Sequence, residues 1–592
     1  MWHKNWREEI WSDISQDWDL IVVGGGITGA GILREATRLG LHVLLVEQRD
    51  FAWGTSSRSS KLVHGGLRYL KEGKIGLTRD SVREREQLLK EAPGLVEPLD
   101  FLLATYDGDS PGRFTYGAGL TIYDLLALRW SHRYYSSQDF RLMAGQLSAE
   151  GLEGGYRYGD AQTDDARLVL RVIREAVTGG GTAINYTKAD KILRDKDGQV
   201  AGLRIKDLES NRETLVYAPL IINATGAWAD RLRGQLGAPR KIRPLRGSHL
   251  IFPSWRLPVA QAVSFLHPID GRPVFLFPWE GVTLVGTTDA DYDNSLDQEP
   301  VITAAEVAYL MAAVDARYPL LGIALEDVIA TFAGVRPVIG SGKDNPSEES
   351  RDHVIWEEEG LLTVTGGKLT TFRLVALEVL GKARQIDPEL PHANKEFPMF
   401  DSLDGELVRG ENLDDSTCRR LIGHYGVEAP SLLRAAQPDE LEIIPGTSIL
   451  WAELRWAARA EGVVHLDDLL LRRVRLGLLV KNGGQAYLPR IRAICQPELG
   501  WDNVRWEQEE RVYYALWQRC YSLPERSKIP DWELMLREAE QKRVATFAQD
   551  KNQNKDYRRK SMVVIFTSLA IILALAIIRR KHRSAEVVKI EE

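Results

Sequence analysis

The chain is poor in cysteine. Its 592 residues hold three, Cys418, Cys495 and Cys520, and none lies in the first 417 positions. That excludes a disulfide framework and a C-x-x-C metal site, and it suits a reducing compartment. An excess of basic charge is also missing. With 76 Lys and Arg against 83 Asp and Glu the net charge is −7, which gives no general electrostatic reason to bind nucleic acid. The first 19 residues lack a continuous apolar core and carry Glu8, Glu9, Asp13 and Asp17, so they read neither as a secretory signal nor as a mitochondrial presequence. Internal repeats are absent. One long uncharged run stands out at 562–578, MVVIFTSLAIILALAII, with Arg558, Arg559 and Lys560 before it and Arg579, Arg580, Lys581 and Arg583 after it. As a helix it would span roughly 25 Å, the short end for a bilayer, with flanking side chains able to snorkel. A single-pass C-terminal transmembrane anchor is expected there; a buried core helix is the competing assignment. The flanking charges are nearly balanced and set no orientation. The missing secretory signal favours the cytoplasmic side for the body of the protein.

What is present begins with Asp19-Leu20-Ile21-Val22-Val23-Gly24-Gly25-Gly26-Ile27-Thr28-Gly29, an apolar strand running into a glycine turn that opens a helix. Gly24, Gly26 and Gly29 have the G-x-G-x-x-G spacing. In that motif the first glycine permits the tight turn, the second lets a pyrophosphate approach the backbone, and the third lets helix and strand pack closely. A helix over 28–39, a stop at Gly40 and a strand over 41–46 should follow. Glu47 ends that strand 18 residues after Gly29, where a carboxylate would meet ribose hydroxyls. A tight βαβ turn that binds nothing is the competing assignment.

The 52–70 segment, AWGTSSRSSKLVHGGLRYL, has a loop composition in its first half and lies directly after the ribose-binding strand. Thr55, Ser56, Ser57, Ser60 and Lys61 are its candidate cofactor contacts. A charged helix fits 78–92. The aromatic and leucine mixture of 113–130 suits a second, substrate-covering domain. Leu220-Ile221-Ile222-Asn223-Ala224-Thr225-Gly226 and Leu361-Leu362-Thr363-Val364-Thr365-Gly366-Gly367-Lys368-Leu369-Thr370 are two further strand–glycine–helix junctions, which nominate Thr225, Gly226, Gly366, Gly367, Leu369 and Thr370. The runs at 274–279 and 283–289 read as a hairpin of a large antiparallel sheet. From about 403 to 542 leucine and arginine recur at helical spacing. Trp2, Trp6 and Ile10 share one face of an N-terminal helix, which could lie on a membrane interface but better suits packing on the protein itself.

Taken together, GGGITGAG, TSSRSSKLVHGGLRYL, TDDARLVL, NATGAW, RGSHL, VGTTD, GVRPV and TGGKLTT resemble, in order, the FAD-dependent glycerol-3-phosphate dehydrogenases, within the D-amino-acid-oxidase-like flavoproteins. The likeness spans about 17–375, and LDDL near 466 with Arg472 and Arg473 resembles the family's C-terminal helical domain. It implies an α/β fold. A Rossmann-like FAD-binding domain (about 17–80, 155–245 and 330–390) would combine with an antiparallel-sheet substrate domain (about 81–154 and 246–329). A helical domain over 400–545 and a linker over 546–560 would precede the anchor. The terminal hydrophobic segment departs from the family pattern, whose members hold the membrane peripherally. By motif the resemblance brings Arg68, Tyr69, His249, Arg336, Arg351 and Lys368 into one pocket.

His249, Arg68 and Lys368 are then the candidate catalytic groups, with Tyr69, Arg336 and Arg351 on the substrate. Cations suit a phosphomonoester dianion. The implied reaction is oxidation of sn-glycerol 3-phosphate to dihydroxyacetone phosphate by hydride transfer to FAD, with a membrane quinone as acceptor, the lipid bilayer as a partner and a homodimer left open. Three alternatives stand beside it. An oxidase of the same substrate would use O₂ and need no anchor. An amine or amino-acid oxidase would want a carboxylate partner in its pocket. A membrane-tethered flavin-binding scaffold would be yellow but not bleached by any polyol phosphate.

Overall fold

Short strands that are apolar at nearly every inner position have no face to offer water, and here they form the middle of a sheet covered on both sides. In the computed structural model of the chain, residues 2–550 are described except 72, 341, 343–348, 350–351, 404–407 and 409–412; the side chains of 68, 71 and 544–550 also stand outside the description. Leu20–Val23 pairs in parallel with Val43–Val46 on one side and Leu220–Asn223 on the other. Thr182–Ile184 and Leu361–Thr365 extend the two flanks in parallel, and Val354–Glu358 closes one edge antiparallel. Every residue of Leu20–Val23, Val43–Val46, Leu220–Asn223 and Leu361–Thr365 is buried. Helix Ile27–Arg38 packs against Asp165–Thr178 and Phe372–Ile386. Gly31 makes the last contact possible, because a Cβ there would lie 2.9 Å from the Phe372 ring.

A ten-stranded mixed sheet forms the second layer, with Ile242–Pro253 between Ala290–Asp291 and Val282–Gly286 and with Ala330–Ile339 also paired to it. The hairpin expected from the alternating pattern is present as Pro273–Trp279 on Val282–Gly286. Thr187–Arg194, Val200–Asp207 and Glu213–Tyr217 make a separate antiparallel meander.

The helical region, from Asp415–Tyr425 to Asn503–Cys520, belongs to the same compact unit, Met1–Pro530, as the sheets. Buried charge ties it to them. Arg167 grips Glu461 through two bonds of 2.5 and 2.8 Å. Asp50, fully buried, accepts from Arg473 at 2.6 and 2.8 Å and from Arg472 at 2.5 Å. Burial works to raise the Asp50 carboxyl, and the two guanidiniums overcome it and hold it below the usual range. The N-terminal tryptophans lie on the body. Trp2 is buried, stacks on Phe51 at 5.0 Å and donates to the Ala183 carbonyl at 3.2 Å, and Trp6 is buried beside it.

The second unit, Asp531–Glu592, contains one described helix, Trp532–Asp550. It carries Glu533, Arg537, Glu538, Glu540, Lys542 and Arg543, charges too costly to desolvate in hydrocarbon. Among the described residues no helix is long and apolar enough to cross a membrane. The expected anchor at 562–578 lies outside the described residues. The single-pass architecture and the membrane localisation expected from the sequence are therefore withdrawn.

His465 joins the meander to the helical region. Glu209 contacts its Nε2 and Glu509 its Nδ1, both at 3.1 Å. Burial opposes the charged ring, but the two carboxylates overcome it and lift its pKa to about 10. A raised folded-state pKa gives stabilisation that is complete below the unfolded value of about 6.5 and lost as pH rises through the folded one. A His465→Leu variant should therefore melt below the parent at pH about 6, with a deficit of about 2 kcal/mol that closes above pH about 10. A deficit constant across that range would refute the charged-ring account.

Candidate active site

Strands Leu20–Val23, Leu220–Asn223 and Leu361–Thr365 lie side by side and parallel, so their carboxyl ends and the three glycine turns that follow share one edge of the sheet. Open α/β sheets bind ligands in the crevice at that edge. Gly24 has φ +113°, and a Cβ on it would lie 2.6 Å from the Ala224 carbonyl oxygen. A Cβ at Gly29 would fall 1.9 Å from the Gly24 carbonyl oxygen. The turn can therefore be built only with glycine. The N-cap residue of helix Ile27–Arg38, Gly26, brings no side chain of its own; the Ile27 N–H donates to Ser56 Oγ at 3.0 Å. Glu47 closes the far wall, accepting from the Gly25 N–H at 2.7 Å and the Arg49 N–H at 2.8 Å. Burial raises its pKa. Thr365 Oγ1 donates to the Gly226 carbonyl at 3.0 Å, which ties the second turn to the third.

These turns enclose a cleft of about 300 Å³. Of the residues expected to hold a cofactor, Gly24, Gly26, Glu47, Thr55, Ser56, Thr225, Gly226, Gly366, Gly367 and Leu369 line it. Gly29 instead seats the helix on the turn. Ser57 and Lys61 are buried in an ionic knot with Asp165, where Lys61 Nζ donates to Asp165 at 2.8 Å and to the Ser57 carbonyl at 3.1 Å. Burial and Arg475 pull the Lys61 ammonium down to about 8. Ser60 Oγ lies 3.0 Å from His249 Nε2. Thr370 Oγ1 accepts from the His64 N–H at 3.1 Å. The sequence missed Trp53, Trp228, Lys188, Asp190, Arg231 and Gln235, which also line the cleft. Trp228 directly follows the NATGA turn, and that adjacency was the one local signal for any of them.

The expected catalytic and substrate residues fall into two pairs. Lys368 borders the cleft, donates to Ser81 Oγ at 2.7 Å and places its ammonium 3.6 Å from the centre of the Tyr69 ring. His249 and Arg336 occupy neighbouring strands, Ile242–Pro253 and Ala330–Ile339. His249 is 1% exposed and stacks on Phe332 at 4.5 Å. Gly286 gives it room, since a Cβ there would sit 2.2 Å from its Cδ2. Burial, then Arg336 and Lys61, hold its pKa well below the ordinary 6.5, so the ring is neutral. With Nε2 on Ser60, its buried Nδ1 has no partner among the described residues. Arg336 donates to Asp289 at 2.8 Å and Thr287 Oγ1 at 3.1 Å, and the next residue, Pro337, lines the cleft. The Arg68 side chain and Arg351 lie outside the described residues.

A glycine cradle, a helix start opened by glycine, a carboxylate at the end of the second strand and a cleft at the sheet edge fit a flavin dinucleotide, and together they define an FAD-dependent oxidoreductase. Residues 19–374 match the FAD dependent oxidoreductase family, and 391–506 match the C-terminal domain of alpha-glycerophosphate oxidase. An aerobic glycerol-3-phosphate dehydrogenase of Staphylococcus aureus is 36% identical over 493 residues, 79% of this chain and 88% of the relative. The glycerol-3-phosphate dehydrogenase of Bacillus halodurans, solved with FAD, superposes with TM-score 0.71 at 27% identity, over 88% of this chain and 98% of that one. The L-alpha-glycerophosphate oxidase of Mycoplasma pneumoniae, at 17% identity and TM-score 0.53 over 66% of this chain and 99% of its own, shares the fold. The chain belongs to the FAD-dependent glycerol-3-phosphate dehydrogenase family.

Because the Gly29 contact is backbone on backbone, a Gly29→Ala protein should purify without visible flavin absorbance. Full flavin stoichiometry in that variant would show that the turn can relax.

Proposed function

We propose that the enzyme oxidises sn-glycerol 3-phosphate to dihydroxyacetone phosphate, with His249 as the base and Arg336 as the phosphate grip. The observation that carries this is a neutral, buried imidazole with a partnerless nitrogen beside a guanidinium on the next strand. A buried polar atom without a partner is rare and costly, and here a substrate hydroxyl would satisfy it. With its proton on Nε2, donated to Ser60 Oγ, the imidazole presents the Nδ1 lone pair to accept the C2 hydroxyl proton. When bound, FAD supplies the acceptor for the hydride that leaves C2. Arg336 offers a fork that suits a phosphate oxygen pair, and Asp289 holds it in place. Lys368 adds positive charge at the cleft wall, where an oxyanion or an anionic ring would be stabilised, and Tyr69 packs beneath it. Arg68 and Arg351 keep the roles their motifs imply, on the developing alkoxide and on phosphate. The relatives named dehydrogenases favour an acceptor other than O₂, and a quinone is the acceptor proposed.

The deciding experiment is anaerobic bleaching of the flavin by sn-glycerol 3-phosphate, with glycerol and a D-amino acid as controls. Bleaching by the phosphate ester alone is expected; bleaching by the amino acid would transfer the chain to the amine oxidases. Re-oxidation by a soluble quinone should outpace re-oxidation by O₂. His249→Asn should slow bleaching at saturating substrate by about 10²- to 10⁴-fold, and an unchanged rate would remove its role. A base works only unprotonated, so activity is lost as pH falls through the His249 pKa, and the acid limb should lie well below pH 6.5. Arg336→Ala should raise KM more than it lowers kcat, and should move that limb upward because a repelling charge is gone.

A further inference from the structure

We propose that Arg475, contributed by the helical region, is a positioning residue for His249, acting through Asp165 and the backbone of 57–61. This rests on the assignment of His249 as the base. Asp165 is fully buried and takes five donors. Its Oδ2 accepts from the Ser59 N–H at 2.9 Å and the Ser59 hydroxyl at 2.7 Å. Its Oδ1 accepts from Lys61 Nζ at 2.8 Å, Arg475 Nη2 at 2.9 Å and the Ala166 N–H at 3.0 Å. Arg475 Nη2 also donates to the Ser57 carbonyl at 3.0 Å, and Ser59 Oγ accepts from the Lys61 N–H at 2.9 Å.

The backbone is thus fixed at 57, 59 and 61. The residue left between these ties is Ser60, whose hydroxyl meets His249 Nε2 and so sets the ring's tautomer and tilt. The other end of the same loop, Ser56, touches the start of helix Ile27–Arg38. Arg475 itself has φ +59°, a conformation that costs a non-glycine residue free energy and is kept here by its surroundings. Burying three charged side chains under a loop is a poor way to gain stability, since apolar packing does as well. It is a good way to fix a loop to within fractions of an ångström, because each charge leaves its partner stranded if the geometry slips. Arg336 and Lys61 are the charged groups that act on His249, and Lys61 belongs to the knot, so the knot also fixes where one of those charges sits.

The test is a double-mutant cycle on full-length holoenzyme, Arg475→Lys against Ser60→Ala, read as the anaerobic bleaching rate by sn-glycerol 3-phosphate. Arg475→Lys keeps the charge but loses the fork. It should lower the rate at saturating substrate by about tenfold and change KM by less than about twofold. In the Ser60→Ala background, where the link to the imidazole is already cut, the same substitution should cost less than about twofold. An equal loss in both backgrounds would overturn the proposal, because a general structural defect does not depend on Ser60. If Arg475→Lys fails to load flavin, Asp165→Asn takes its place in the cycle under the same two criteria. Failure of the base assignment is distinguishable: His249→Asn would then bleach at the parent's rate, whatever the cycle shows.

Discussion

The parallel pairing of Leu20–Val23 with Leu220–Asn223, and of that strand with Leu361–Thr365, is the constraint on which the rest of the structure depends. Parallel register puts the three carboxyl ends at one edge. Each chain must then turn away at once, in a space already filled by its neighbour's turn. The Gly24 turn runs against the Ala224 carbonyl, and Gly366 runs against the Asp352 carbonyl, where a Cβ would come within 2.6 Å. Glycine at these places is a steric necessity before it is a cofactor motif. The cleft is what remains when three turns without side chains meet.

Legibility followed range. The glycine turn, its helix and Glu47 were readable because all their determinants lie within about thirty residues, and the structure places Gly24, Gly26 and Glu47 on the cleft. The second and third turns were readable for the same reason. Lys61 and Ser57 were not. A lysine and a serine in a small-residue loop beside a cofactor strand look like phosphate ligands. Their actual partners, Asp165 and Arg475, lie more than a hundred and four hundred residues away, and no local pattern announces a fully buried lysine. Trp53 and Trp228, tilted against each other with ring centres 5.9 Å apart at the cleft, were invisible for a related reason, since aromatic side chains in loops are usually core.

Part of this protein's charge is an interior material. Asp50, Asp165 and Glu461 are fully buried, and each is matched by arginines from another part of the chain. Such pairs gain little over a hydrocarbon contact, but losing one partner is severe, about 3–5 kcal/mol. They make the sheets and the helical region mutually dependent. Residues 415–520 are therefore part of the oxidoreductase's working body, and Arg472, Arg473 and Arg475 reach the loops that border the cofactor cleft.

The same long reach governs how the chain can be made. Trp2 bonds to Ala183 and lies beside Glu461, and Arg472 meets Asp50 across a sequence separation of 422. A nascent chain leaves the ribosome with its first strand ready and its neighbours unmade. Leu220–Asn223 arrives two hundred residues later, and the arginines that neutralise Asp50 later still. Until then the apolar strands and the tryptophan face stand in water, and a chain of such high contact order folds slowly. Synthesis of this protein is a long interval of exposed sheet edge, and its yield in the cell rests on chaperone capacity and translation speed as much as on the stability of the finished fold.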